Sequence, residues 1–205
     1  MKRSSLLLLV GVALLGAAIA LAASILHDGL SARATPTAVE AVLARNVRHL
    51  AIPASARSAQ NPLLDSPEDL RDARRHFADH CAICHANDGS GDTAFGAGLY
   101  PKPPDLRLPR TQDLTDGELF WIIENGVRFT GMPAFSSPDH EGQVETWKLV
   151  HFIRHLLHLS ATERLEMEKY NPQGPDERAE EEEEDDFLNR ATPKQKPESQ
   201  NHHKK

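Results

Sequence analysis

Aromatic residues make up only 5% of the 205-residue chain, there are just two cysteines, and no segment reads as a credible β-strand. With 14 prolines and 12 glycines besides, the sequence has little material for a large core. Whatever folds is small, or borrows apolar surface from something other than its own side chains. A basic excess is missing too, since 23 Lys and Arg face 30 Asp and Glu for a net charge of −7. The run 177–186 holds eight acids and one arginine and accounts for that whole figure, leaving the other 195 residues balanced at 22 against 22. The footprint that nucleic-acid binding requires is therefore absent. There is no internal repeat, and the length allows one or two domains.

What is present begins at the N-terminus. After Lys2 and Arg3, the 23 residues from Ser4 to Leu26 are uncharged and dominated by Leu, Ala, Val and Ile, where about 20 suffice to cross a hydrocarbon core. Ala18-Ile19-Ala20 also offers a small-x-small cleavage site, so a transmembrane anchor and a cleaved signal segment both fit residues 1–27. In either case the positive-inside rule keeps Lys2 and Arg3 in the cytoplasm and exports everything from His27 onward.

Residues 28–63 read as an amphipathic helix followed by an irregular connection. Val39, Val42, Leu43, Val47 and Leu50 recur at helical spacing, which predicts a helix that packs on the membrane surface or on the main domain. Pro53 and Pro62 keep the segment from Ala51 to Leu64 irregular. Ser66-Pro67-Glu68-Asp69 opens the next helix with a cap, a first-position proline and acids over the positive dipole end. Its expected inner face is Leu70, Ala73 and Phe77, and it runs toward Cys81. The Gly-, Pro- and Asp-rich segment 87–112 has no period, and loops of that length usually carry function. Thr115-Asp116-Gly117-Glu118 is a capping box that starts a helix ending at Asn125-Gly126. A last long helix, about Gln143 to Leu159, is expected to turn Val144, Trp147, Val150, Ile153 (or the stem of Arg154) and Leu157 inward. Ser160-x-x-Glu163 starts a short helix within 161–205, and the tail beyond Tyr170 has the composition of a disordered chain.

The two cysteines stand in Cys81-Ala82-Ile83-Cys84-His85, the attachment signal for haem c. At a helix end, thiols three residues apart reach the two vinyl groups of one porphyrin, and the adjacent histidine comes under the iron. A redox disulfide normally sits in an α/β pattern, a structural zinc site needs a second ligand pair, and a plain disulfide has no use for the histidine. The second axial ligand is narrowed by counting. Met1 is at the membrane end and Met167 lies between Glu166 and Glu168, whereas Met132 occupies the stiff loop Thr130-Gly131-Met132-Pro133-Ala134-Phe135. A bis-histidine site using His76, His80, His151, His155 or His158, and a five-coordinate iron, are the alternatives.

Taken together, a helix leading into CAICH, a Gly- and Pro-rich middle loop, the capped LTDGELFWIIENG helix, the GMPAF methionine loop and a Trp-containing final helix make residues 64–160 resemble a class I, single-haem c-type cytochrome domain. The resemblance covers about half the chain. It implies an all-α, class I cytochrome c-like domain around one covalently bound haem c, here preceded by the N-terminal transmembrane helix. It implies thioether bonds at Cys81 and Cys84, and His85 and Met132 as axial iron ligands. A proline carbonyl in the middle loop orients the proximal ring in that family, and Pro101, Pro103 and Pro104 compete for the role, with Pro104 preferred.

With both axial positions filled, the iron has no site for a substrate, so the expected role is one-electron transfer rather than enzymatic turnover. The chain is then a membrane-tethered carrier, or the haem subunit of a redox complex with protein partners, at a bacterial inner membrane with its haem domain facing the periplasm. The competing readings are a haem sensor or peroxidase-like protein with a labile Met132, and a metal-handling tail built on the acidic run with His202 and His203. Phe77, Leu99, Phe120, Trp121, Phe129, Phe135 and Trp147 are candidate walls of the haem pocket. Arg107, Arg110 and Arg128 are candidate partners for its propionates.

Overall fold

The computed structural model describes residues 3–28, 31–135, 139–174, 183 and 187. Lys2, His202, His203 and all of the acidic run except Glu183 lie outside the described residues. The chain divides into a unit of residues 1–171 and a unit of residues 172–205. Among the described residues the regular structure is entirely helical, with no strand.

Helix α1 (Arg3–Asp28) contains Ser4–Ser24, long and apolar enough to cross a membrane and with none of that span buried against protein. Its complete exposure separates it from a core helix of similar composition. Helix α2 (Ala38–Ala51) begins at a capping box in which Thr37 and Glu40 satisfy each other's backbone N–H groups. The connection between α2 and the next long helix is tied to the main domain. Ile52 is fully buried, and the short helix α3 (Ala54–Arg57) lies so close to α7 (Asp116–Asn125) that a Cβ on Gly117 would strike the Ala56 carbonyl. Asn61 donates to the Trp147 carbonyl at 2.9 Å, and His151 Nε2 lies 3.1 Å from the Leu63 carbonyl.

Helix α4 (Pro67–His76) has the expected Ser66 cap and first-position proline. It packs on the long helix α8 (His140–His155), which also packs against α7. Ala73 and Phe77 enter the core as the periodicity requires, and Phe77 meets Phe152 with ring centroids 5.0 Å apart. The inner face of α8 differs from the sequence reading. Thr146, Leu149, Val150, Phe152 and Ile153 are buried, whereas Val144 and Trp147 are only partly so and Leu157 is 54% exposed. The helix is flanked by α4 and α7 together, which widens its buried arc, and a 3₁₀ turn at Leu156–His158 rotates Leu156 inward in place of Leu157. Helix α9 (Ala161–Glu168) closes the core with Met167, fully buried, and its Glu163 and Glu166 accept from Arg74 on α4 at 2.9 and 2.6 Å.

Candidate functional site

The site grows out of the C-terminal end of the α4 helix. A π turn, Phe77–Cys81, is inserted between α4 and the last helical turn α5 (Ala82–His85), and the Ala82 N–H reaches back to the Phe77 carbonyl. Such one-turn insertions in helices often mark functional sites. The extra residue keeps Phe77, Ala78 and Ala82 facing the core together while Cys81 and Cys84 stay partly exposed. Both cysteines are free. Burial pushes the Cys81 thiol up to about 12, with Cys84 adding to the effect, and burial raises Cys84 as well.

His85 ends α5 and is partly buried. Its Nδ1 has no hydrogen-bond partner within ordinary length and angle, although the Pro104 carbonyl acts on the ring as an acceptor that favours the protonated form. Burial outweighs that influence and lowers the pKa, so the imidazole is held neutral. The chain leaves His85 through Ala86, which sits at φ 59°, ψ 157°, a region that costs a residue with a Cβ about 1–3 kcal/mol.

The middle loop 87–112 wraps back onto this helix end. The Gly91 N–H donates to the His85 carbonyl at 2.8 Å, and the Thr93 hydroxyl donates to the Ile83 carbonyl at 2.8 Å while accepting from the Gly96 N–H at the same distance. Gly91 has φ +75°, and a Cβ there would stand 2.7 Å from the Pro103 carbonyl oxygen and 3.2 Å from that of Pro104. Only glycine fits both that conformation and that approach. Of the three candidate prolines, Pro104 is the one whose carbonyl acts on His85, while Pro101 is exposed and follows a cis peptide bond from Tyr100.

The loop carrying Met132 leaves α7 at Gly126 (φ +64°), where a Cβ would meet Met132 O and Ala134 N at 2.7 Å. Inside it, the Val127 N–H donates to the Met132 carbonyl at 3.0 Å and the Thr130 hydroxyl accepts from the Met132 N–H at 3.1 Å. The Phe135 N–H donates back to Ile123 at 3.1 Å. Met132 and Cys81 both pack against the same core cluster. Gly131 touches Leu99 so closely that a Cβ would lie 2.8 Å from its methyl carbons, which joins the methionine loop to the middle loop.

The remaining candidates divide. Phe120 and Trp147 are stacked with centroids 4.1 Å apart, and Leu99 and Trp121 are partly buried. Phe129 is 92% exposed and Phe135 37%, so Phe129 is not packed against the protein's own side chains. Arg107 is already paired with Asp88 at 2.9 Å and Asp105 at 2.8 Å, whereas Arg110 and Arg128 are exposed. Among the histidines, His76 faces Glu145 at 3.6 Å, His151 contacts Asp65 at 2.8 Å and His155 contacts Glu163 at 3.0 Å. Sequence reasoning did not find the π turn, Ala86, Thr93 or Thr130. None of them has a local signature, apart from the hydroxyl two residues before Met132.

Two thiols one helical turn apart, a neutral imidazole with a buried, unpartnered ring nitrogen, and a thioether that packs, like Cys81, on the core cluster are a donor set that fits haem c. Residues 68–153 match the family model described as cytochrome c oxidase, cbb3-type, subunit III. They form a single-haem c-type cytochrome domain. The match covers less than half of the chain, and α1, α2 and the acidic tail lie outside it. No curated protein matches the sequence. The matched stretch begins on α4, takes in the CAICH helix α5, the middle loop, α7 and the loop with Met132, and ends within α8.

Proposed function

We propose that this chain is a membrane-tethered, one-electron carrier or the haem subunit of a redox complex, with Cys81 and Cys84 as thioether attachments and His85 and Met132 as axial iron ligands. The observation that carries the reading is His85, at the end of the CAICH helix, with a buried Nδ1 that has no hydrogen-bond partner and a ring on which the Pro104 carbonyl acts. An Nδ1–H turned toward that carbonyl would leave the Nε2 lone pair free for a metal and set the ring's orientation. Bound there, haem c supplies a one-electron ferric/ferrous couple, and methionine ligation raises its potential.

The chain's own residues do the rest. Gly91 and Thr93 hold the helix end that presents His85, and Gly126 and Thr130 shape the loop that presents Met132. Leu99, Phe120, Trp121 and Trp147, all partly buried, would shield a haem held by these residues from water, which tunes the potential further. The match to a family described as an oxidase subunit supports work within a complex, the exposed apolar α1 supports a membrane anchor, and Lys2 and Arg3 before its apolar stretch favour a periplasmic domain by the positive-inside rule. Cleavage after Ala20 instead gives a periplasmic soluble form.

Carbon monoxide added to the reduced protein, and cyanide to the oxidised protein, test the sealed site. Little or no binding without denaturant is expected. Rapid stoichiometric binding overturns it in favour of a sensor or peroxidase-like protein with a labile Met132. Purification from native membranes with a haem spectrum of the product tests attachment, retention and partnership.

A further inference from the structure

Helix α2 turns its apolar stripe away from its own domain. At about 100° per residue, Ala41, Arg48 and the following Ile52 fall on one side, and these are the partly or fully buried positions. Val39, Val42, Leu43, Val47 and Leu50 fall on the opposite side and are between 49% and 78% exposed. The domain side is fastened by polar contacts. His49 Nδ1 stands 3.1 Å from Glu118 Oε1 on α7, Glu118 is 5% exposed, and the Tyr100 hydroxyl of the middle loop donates to Glu40 Oε1 at 3.1 Å. An amphipathic helix that shows its small and polar side to its own protein has its apolar side available to something else.

We propose that this face of α2 lies in the membrane surface, as a collar that sets the orientation of the cytochrome domain against the bilayer. The proposal rests on α1 being a retained anchor. Two observations choose lipid over a protein partner. Nine residues separate Asp28 at the end of α1 from Ala38, which limits the gap to about 30 Å even when fully extended, so α2 cannot leave the neighbourhood of the span. Residues 31–51 carry Arg33, Arg45 and Arg48 against the single acid Glu40; Arg33 and Arg45 are exposed, Arg33 in the turn before the helix and Arg45 on the flank of α2 between its domain side and Val42. This net basic charge on a segment with an exposed apolar face suits an anionic headgroup layer. Because the opposite side of α2 holds Tyr100 of the middle loop and Glu118 of α7, contact with lipid fixes the two segments that lead to the proposed iron ligands.

The test uses the full-length haem protein in vesicles of phosphatidylethanolamine and phosphatidylglycerol. A phospholipid with a diazirine in its acyl chain is photolysed with the unmodified protein, and adducts are mapped by peptide mass. Adducts on both α1 and the Val39–Leu50 peptide are expected. Adducts on α1 alone overturn the collar and leave the anchor standing, whereas adducts on neither overturn the anchor. A nitroxide attached at Leu43→Cys or Val47→Cys should show several-fold greater collision with oxygen than with a water-soluble nickel complex. Equal access overturns the proposal, and dipolar broadening in singly labelled protein overturns it in favour of a second copy of this chain.

Discussion

The helix end that carries His85 and the loop that carries Met132 each adjoin or contain a non-glycine residue at positive φ, Ala86 at 59° and Phe129 at 63°, yet they are held very differently. On the histidine side the strained residue continues a helix that is packed on α8, and the middle loop returns to it through Gly91, Thr93 and the Pro103–Pro104 carbonyls. On the methionine side, among the described residues, the hydrogen bonds run within the loop and back to Ile123, Gly131 rests on Leu99, and Phe129 is exposed. Strain persists only where the surroundings over-determine it. Among the described residues the histidine side is thus tied to more neighbouring segments than the methionine side, which makes the methionine turn the one expected to open at lower cost.

The largest expected effect removes the attachment altogether. Cys81→Ala with Cys84→Ala should yield a chain without covalent haem and without a cooperative thermal transition, because the few aromatic side chains leave a core that relies on the porphyrin's apolar surface. A cooperative transition in that haem-free variant would contradict this. Next, Met132→Ala should keep the haem, bind carbon monoxide rapidly where the parent does not, and lower the reduction potential. If ligand binding and potential are unchanged, Met132 is not on the iron.

A matched pair of glycine substitutions sharpens the contrast between the loops. Gly91→Ala and Gly126→Ala each force a Cβ into a positive φ and against a carbonyl or backbone atom less than 3 Å away, so each should cost about 1–3 kcal/mol in denaturant unfolding. Only Gly126→Ala should also speed carbon monoxide binding, since only it disturbs the methionine loop. Equal ligand access in the two variants would erase the proposed asymmetry.

The smallest effect lies away from both loops. Burial alone raises the Glu163 carboxyl, but the Ser160 N–H and hydroxyl and His155 pull it from 4.5 down to about 2. A carboxyl whose folded pKa lies below its unfolded one contributes stability that is present above about pH 4.5 and lost as the pH falls toward 2. Glu163→Gln should flatten the fall in melting temperature across that window and leave the haem spectrum unchanged. An undiminished acid dependence would assign it to other carboxylates.

The elements and their caps were legible because they are local. Ser66 before Pro67, Thr115 with Glu118 and Ser160 with Glu163 each satisfy backbone groups within one turn of themselves, so nothing distant has to be known to read them. The pentad from Cys81 to His85 is local in the same way. The inward face of α8 was less legible, because two neighbouring helices and a terminal 3₁₀ turn decide which residues are covered. The π turn, Ala86 and Thr93 had no signature, since their conformations are imposed by the middle loop closing on the helix end.

The sequence alone thus determined helices throughout the described residues, an N-terminal helix long and apolar enough to cross a membrane, the Cys-x-x-Cys-His motif and one methionine in a loop between two helices, all of which depend on periodicity and spacing between near neighbours. Tertiary structure decided how the middle loop closes on the helix end that carries His85, that Phe129 is exposed and that α2 shows its apolar stripe to the surroundings. Those depend on which surfaces meet across tens of residues, and the same amphipathic stripe reads identically in sequence whether it faces its own core or a membrane.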